Sequence, residues 1–147
     1  MSEPSLSSDL TKQITVMVVA RWIMGGSFSD PTWMVLSSYT LIGYITYHML
    51  SPIILTDPRT ADIVKIAIVL LVTGPRRDPT QAASILIGYG LYNWILYDYF
   101  QVVNNRRIQG AINDIGKALS VQLIGGTRVD DIPRMLGYLA YNMILSR

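Results

Sequence analysis

Residues 31–56 form an unbroken run of 26 without Asp, Glu, Lys or Arg, and the apolar part runs from Trp33 to Leu55. A helix needs about 20 mostly apolar residues to cross a bilayer core. Residues 79–97 are uncharged as well, and the apolar stretch continues past Asp98 to Val103. The expected membrane spans are therefore 31–56 and 79–103. Aromatic residues flank them as interfacial anchors do: Trp33 in the first, and Tyr97, Tyr99 and Phe100 in the second. Polar residues inside the runs, such as Ser37, Thr40 and Ser84, fit equally a water-soluble bundle with two apolar central helices.

Composition narrows the function classes. Charged residues make up 15% of the 147, against about 25% in typical soluble chains. Mean hydropathy is +0.34, which excludes disorder as the state of the whole chain. The absence of cysteine excludes a disulfide scaffold, a thiol nucleophile and a thiolate metal site. One histidine excludes a multi-histidine centre. A net charge of +2 is too small to imply specific nucleic-acid binding. No phosphate loop, Gly-x-Ser-x-Gly or His-Glu-x-x-His motif occurs. No catalysis, cofactor, metal or small-molecule substrate is expected. Arg21 interrupts the apolar run from Ile14 to Met24, so no secretory signal is expected either.

Asp-Pro occurs at Asp30-Pro31, Asp57-Pro58 and Asp78-Pro79, each time before an apolar segment. Aspartate caps free N–H groups at a helix start, and proline at the first helical position sacrifices no bond. Ser7, Ser8 and Asp9 supply a cap near the N-terminus, and Asp130 one before Pro133. Gly25-Gly26, Gly74-Pro75, Gly125-Gly126 and Ser51-Pro52 are stop signals. An all-α fold of about six helices follows: 8–24, 31–51, 58–73, 79–105, 107–124 and 131–146. The Asp-Pro spacings, 27 and 21 residues, differ, so they read as punctuation rather than as an internal repeat.

Two of the helices are expected to be transmembrane, and a third if 58–73 crosses. That segment is short, and Lys65 must snorkel for it to span. The N- and C-terminal helices are amphipathic. In the first, Leu10, Ile14, Met17 and Val18 share the apolar face. Ser84 and Gly88 offer a small-residue surface for close helix approach. The tail, 107–146, presents the cleanest apolar stripe: Ile108, Ile112, Ile115, Leu119 and Leu123 recur with the helical period. This stripe is the candidate partner-contact face. Met135, Leu136, Leu139 and Met143 form a second one. Arg76, Arg77, Arg106 and Arg107 are candidate contacts to lipid phosphates or to the membrane interface. His48 and Asp98 are a candidate polar pair within the spans.

In general character the chain resembles the small membrane-anchored minor capsid proteins of large icosahedral double-stranded DNA viruses. The spans 33–55 and 81–103 and the amphipathic tail 107–146 carry the resemblance; no motif does, so no site residue is transferred. The resemblance implies that helices two and four anchor in a virion's internal membrane beneath the capsid, while helices one, five and six meet capsid subunits. The expected function is thus a non-catalytic structural membrane protein whose partners are the lipid bilayer and other subunits of a large assembly. The alternatives are a holin-like or pore-forming membrane protein and an accessory subunit of a cellular membrane complex.

Overall fold

Asp30, Asp57 and Asp78 each cap a helix that starts with proline. In the computed structural model, which describes residues 5–53, 57–128 and 131–146, their carboxylates accept the backbone N–H of Trp33 at 3.3 Å, Thr60 at 2.7 Å and Thr80 at 3.3 Å. The Thr60 N–H holds the Asp57 carboxyl below the usual carboxylate range. The helix stops are equally local. Gly25, Gly74 and Gly126 have φ of 71°, 63° and 84°, a left-handed geometry that glycine adopts without a Cβ clash.

Six helices result: α1 (Leu6–Ile23), α2 (Pro31–Leu50), α3 (Pro58–Thr73), α4 (Pro79–Gly90), α5 (Arg106–Gly125) and α6 (Asp131–Ala140). Helix α4 continues as a π-helix over Leu91–Leu96 and a 3-10 turn over Tyr97–Phe100, and α6 continues as a π-helix over Tyr141–Leu145. No β-strand occurs among the described residues. The fold is all-α.

Several local expectations need correction. The cap of α1 is Ser5, whose Oγ accepts the Ser8 N–H at 3.1 Å, not Ser7, Ser8 or Asp9. The face of α1 is also reversed. Asp9, Gln13, Val16 and Ala20 are buried, while Ile14 and Val18 are exposed. Helix α2 ends at Leu50, and residues 54–56 and the Asp130 cap lie outside the described residues. Helical structure after Pro79 ends at Phe100 rather than at 103 or 105. Among the described residues, no helix is long and apolar enough to cross a membrane. Helices α1, α3 and α5 each contain an Asp and a Lys three residues apart, which lowers their average hydropathy.

The most extensive contacts join α2 to α3, α4 to α5, and α1 to α6. Each pair closes on one glycine. A Cβ on Gly43 would lie 2.6 Å from Val69 Cα, one on Gly88 2.5 Å from Val121 Cα, and one on Gly137 2.8 Å from Val16 Cα. Only a residue without a Cβ lets the backbones come this near. The Ser84–Gly88 surface is thus used, with Ser84 against Gly125 and Gly88 against Val121.

These crossings expose an internal repeat that the Asp-Pro spacing hides. The three valines each end an Asp-x-x-Lys-x-x-x-Val pattern: Asp9-Lys12-Val16, Asp62-Lys65-Val69 and Asp114-Lys117-Val121, offset by 53 and 52 residues. The three glycines each begin a Gly-Tyr-x-x-Tyr-His/Asn pattern: Gly43-Tyr44 with Tyr47-His48, Gly88-Tyr89 with Tyr92-Asn93, and Gly137-Tyr138 with Tyr141-Asn142. The unit is a pair of helices, used three times. The third unit, α6 with α1, is assembled from the two ends of the chain.

Candidate functional site

The three-residue spacing of Asp-x-x-Lys puts both side chains on one face of a helix. The bonds they make run between repeats. Lys12 pairs with Asp114 at 3.2 Å, Lys65 with Asp9 at 2.9 Å, and Lys117 with Asp62. The links pass from α1 to α5, from α5 to α3, and from α3 back to α1, so six charges close into a ring. Each aspartate also binds the last residue of a Gly-Tyr-x-x-Tyr-His/Asn pattern. Asp9 meets His48 Nε2 at 2.7 Å, and the amides of Asn93 and Asn142 donate to Asp62 at 3.4 Å and Asp114 at 2.7 Å. Every helix pair therefore sends one lysine and one His or Asn onto the aspartate of a neighbouring pair.

The ring is buried on one side and half-buried on the other. Lys65 is 2% exposed and Asp9 4%, while the side chains of Lys12 and Asp62 are 19% and 23% exposed. Buried ion pairs seldom add net stability, because removing each ion from water costs several kcal/mol. Full pairing makes the arrangement tolerable, and the repeated geometry points to a role other than stability.

Two spaces lie on opposite sides of the ring. A polar cleft of about 670 Å³ is lined by Lys12, Asp62, Asp114 and Lys117 together with Ser5, Ser8, Gln109 and Asn113. One turn farther along α1, α3 and α5 lies a smaller chamber of about 130 Å³. It receives residues from all six helices, including Tyr44, Tyr89 and Tyr138, the first tyrosine of each repeat.

Of the expected site residues, His48 touches the ring, Arg106 lines the cleft and Arg77 the chamber; the others lie elsewhere. His48 is bonded to Asp9, and Asp98 to Arg59 at 2.6 Å. The fold does not bring His48 and Asp98 together, since each is committed to another helix. Ile108, Ile112, Ile115, Leu119 and Leu123 do share one surface. They line a groove of about 1060 Å³ with Leu136, Leu139 and Met143 of the α6 segment and with Tyr92, Leu96 and Phe100. This face is left open, with Leu119 and Leu123 exposed, while Ala111, Asp114 and Ser120 point inward. Arg76 lies over the Tyr39 ring at 4.6 Å, and Arg77 reaches Gln81 at 3.5 Å. Arg106 and Arg107 are exposed at the start of α5.

Sequence reasoning missed the ring. Its signal was the threefold recurrence of Asp-x-x-Lys, visible only when helices that are not consecutive in sequence are aligned. Among the described residues, no group of three or more His, Cys, Asp or Glu could hold a metal ion; lysines occupy the positions around the three aspartates. No family model matches the chain, and neither a curated protein nor a solved structure is similar to it.

Proposed function

We propose that the protein is embedded in a lipid bilayer and carries a small polar solute along the line where its three repeats meet, with the ion ring as the barrier. The observation that carries this reading is the inverted distribution of polarity. Leu71 is 80% exposed and Leu123 76%, with Trp22, Met49 and Ile144 each above 70%, while Asp9, Lys65 and Asp114 of the ring are buried and its other three charges are half-buried. A protein surrounded by water normally places these groups the other way round. Surrounded by lipid, it turns apolar side chains outward and keeps ionisable groups inside, where they serve a pathway.

Helix lengths support the reading. Helices α1, α2 and α5 have 18 to 20 residues, or about 27–30 Å at 1.5 Å per residue, close in length to a hydrocarbon core of about 30 Å, although none of the described helices is long and apolar enough to qualify as a span by itself. Glycine-mediated crossings are the usual means of helix association in lipid. Repeats related by an axis along the membrane normal, with polar groups near that axis, are the plan of several transporter classes. The ring pairs join different repeats, so parting the repeats at the ring breaks those pairs. A solute bearing its own polar groups can offset part of that cost, which couples passage to binding.

Membrane fractionation with alkaline carbonate extraction tests the first half of this reading. The protein should stay in the pellet and need detergent to become monodisperse. Release to the supernatant as a monodisperse species without detergent would overturn it. Solute uptake into proteoliposomes tests the second half: uptake should saturate and should fall at least tenfold in Lys117→Met. Ungated leakage that collapses a membrane potential would favour the holin-like, pore-forming alternative.

A structural role is the second reading, favoured by the open groove between α5 and α6. Under it the protein resembles a minor capsid component that links a virion's internal membrane to a protein lattice, or serves as an accessory subunit of a cellular membrane complex. The groove is then where a neighbouring subunit docks. Ile115→Asp should remain in membranes but lose its partners on co-purification. Unchanged co-purification would count against this role.

A further inference from the structure

The three lysines of the chain, Lys12, Lys65 and Lys117, and its one histidine, His48, all stand in or on the ion ring. The histidine differs from its counterparts. Each ring aspartate accepts one N–H from a Gly-Tyr-x-x-Tyr-His/Asn pattern, and Asn93 and Asn142 supply it as amides. His48 supplies it from Nε2 to Asp9 Oδ2 at 2.7 Å, the hydrogen being assigned to Nε2 because that nitrogen faces a carboxylate. An amide meets this need without changing charge at any ordinary pH. A neutral imidazole meets it equally and keeps a second nitrogen that can take a proton. That nitrogen, His48 Nδ1, makes no hydrogen bond among the described residues. Imidazole is also the side chain whose ordinary change of charge falls between about pH 5 and 8.

We propose that His48 is a proton-binding site of the ring, and that its proton competes with the Lys65 ammonium for Asp9. Lys65 Nζ bonds the same carboxylate oxygen as His48 Nε2, at 2.9 Å. The two nitrogens therefore lie within about 6 Å of each other, where like charges oppose each other's ionisation. With His48 neutral, the three aspartates and three lysines cancel. A proton from water adds to the Nδ1 lone pair, leaves the Nε2–H bond to Asp9 in place, and gives the ring one net positive charge. Asp9 then holds two cations on one oxygen, and its grip on Lys65 weakens. Helices α3 and α1 pack against α2. The charged groups of α1 are Asp9, Lys12 and Arg21, and those of α3 are Arg59, Asp62 and Lys65. Arg21 is paired with Asp30, Arg59 with Asp98, Lys12 with Asp114 and Asp62 with Lys117. Asp9 and Lys65 are thus the charges that act on the imidazole, while the Tyr47 ring of α2 itself stands edge-on to it at 5.2 Å. The imidazole is 14% exposed and Asp9 lines the polar cleft, which gives water access to the site. The proposal stands on the ring geometry alone. Joined to the carrier reading it makes passage proton-linked, because the Lys65–Asp9 bond is one of those that join the repeats.

With one histidine and three lysines in the chain, NMR of the full-length protein in detergent reads each group separately. The protein is isotope-labelled at histidine and lysine alone and titrated from about pH 5 to 8, the range in which imidazole changes charge. The imidazole signal should move through one midpoint. The side-chain signal of Lys65, assigned by its loss in the charge-keeping variant Lys65→Arg, should follow with the same midpoint. His48→Asn installs the residue that Asn93 and Asn142 supply in the other two repeats. It should fold, and its Lys65 signal should stay flat over the whole range. In Lys65→Met the imidazole should hold its proton roughly tenfold more tightly, because the opposing cation is gone. Where that variant does not fold, the comparison of the parent with His48→Asn decides. An imidazole signal that does not move in this range would overturn the proposal. So would a Lys65 signal with the same pH dependence in His48→Asn as in the parent. A shared midpoint in a protein that carbonate releases from membranes would support the proton site and remove the carrier reading.

Discussion

Asp9→Asn should destabilise the fold by about 3–5 kcal/mol, the usual cost of removing one partner from a buried ion pair. Asp9 receives Lys65 at 2.9 Å and His48 at 2.7 Å. Asparagine fills the same volume without the charge, so the Lys65 ammonium stays buried without its counter-ion. Lys65→Met should also destabilise, because it strips Asp9 of its cation. The double variant Asp9→Asn with Lys65→Met should recover most of the loss, since an uncharged replacement of a buried pair is often neutral. Thermal unfolding of the four proteins in one detergent completes the cycle. Additive losses in the double variant would show that the pair is not coupled and that the ring is not a unit. Asp114→Asn, which removes the partner of Lys12 and a second contact to Lys117 at 3.9 Å, should also destabilise, and Asp62→Asn should cost less because its side chain is 23% exposed.

A second large effect is expected at the helix crossings. In Gly88→Val the new Cβ would stand 2.5 Å from Val121 Cα and 2.6 Å from Val121 N. Backbone atoms cannot swing aside, so α4 and α5 must separate. Overpacking typically costs about 1–3 kcal/mol, and the loss here should reach the top of that range or exceed it. Gly43→Val and Gly137→Val meet Val69 and Val16 in the same way and should match it. Gly90→Ala is the control. Its Cβ would meet only the Trp94 ring at 3.4 Å, so it should be neutral or gain up to about 1 kcal/mol of helix propensity. A Gly88→Val variant with the parent's thermal midpoint would mean that close approach at this crossing is not needed.

The two classes of residue differ in how they could be read. The aspartate caps and glycine stops act within three or four residues, and all three Asp-Pro starts appear where they were expected. The α5 stripe was legible as a surface because its period is local, and the groove contains all five of its residues. It was expected to meet a partner, and Leu119 and Leu123 stand exposed on the single chain. The direction of the α1 face was not legible. Its apolar residues Ile14 and Val18 are exposed because Asp9 and Gln13 occupy the interior. Lys12, Lys65 and Lys117 read singly as flanks or as interruptions. Their meaning is carried by partners 102, 56 and 55 residues away.

The sequence by itself determined the number of helices, the three Asp-Pro starts, the three glycine stops, and the period of the helix faces. Each of those depends on groups a few bonds apart: a carboxylate over a free N–H, a proline ring, a glycine at positive φ. The tertiary structure alone decided which face is inside. That choice depends on whether six charges, three of them buried, find each other across three helix pairs, and on whether three glycines let the pairs close. Neither condition is local, because the third pair forms only when α6 returns to α1 and completes the ring.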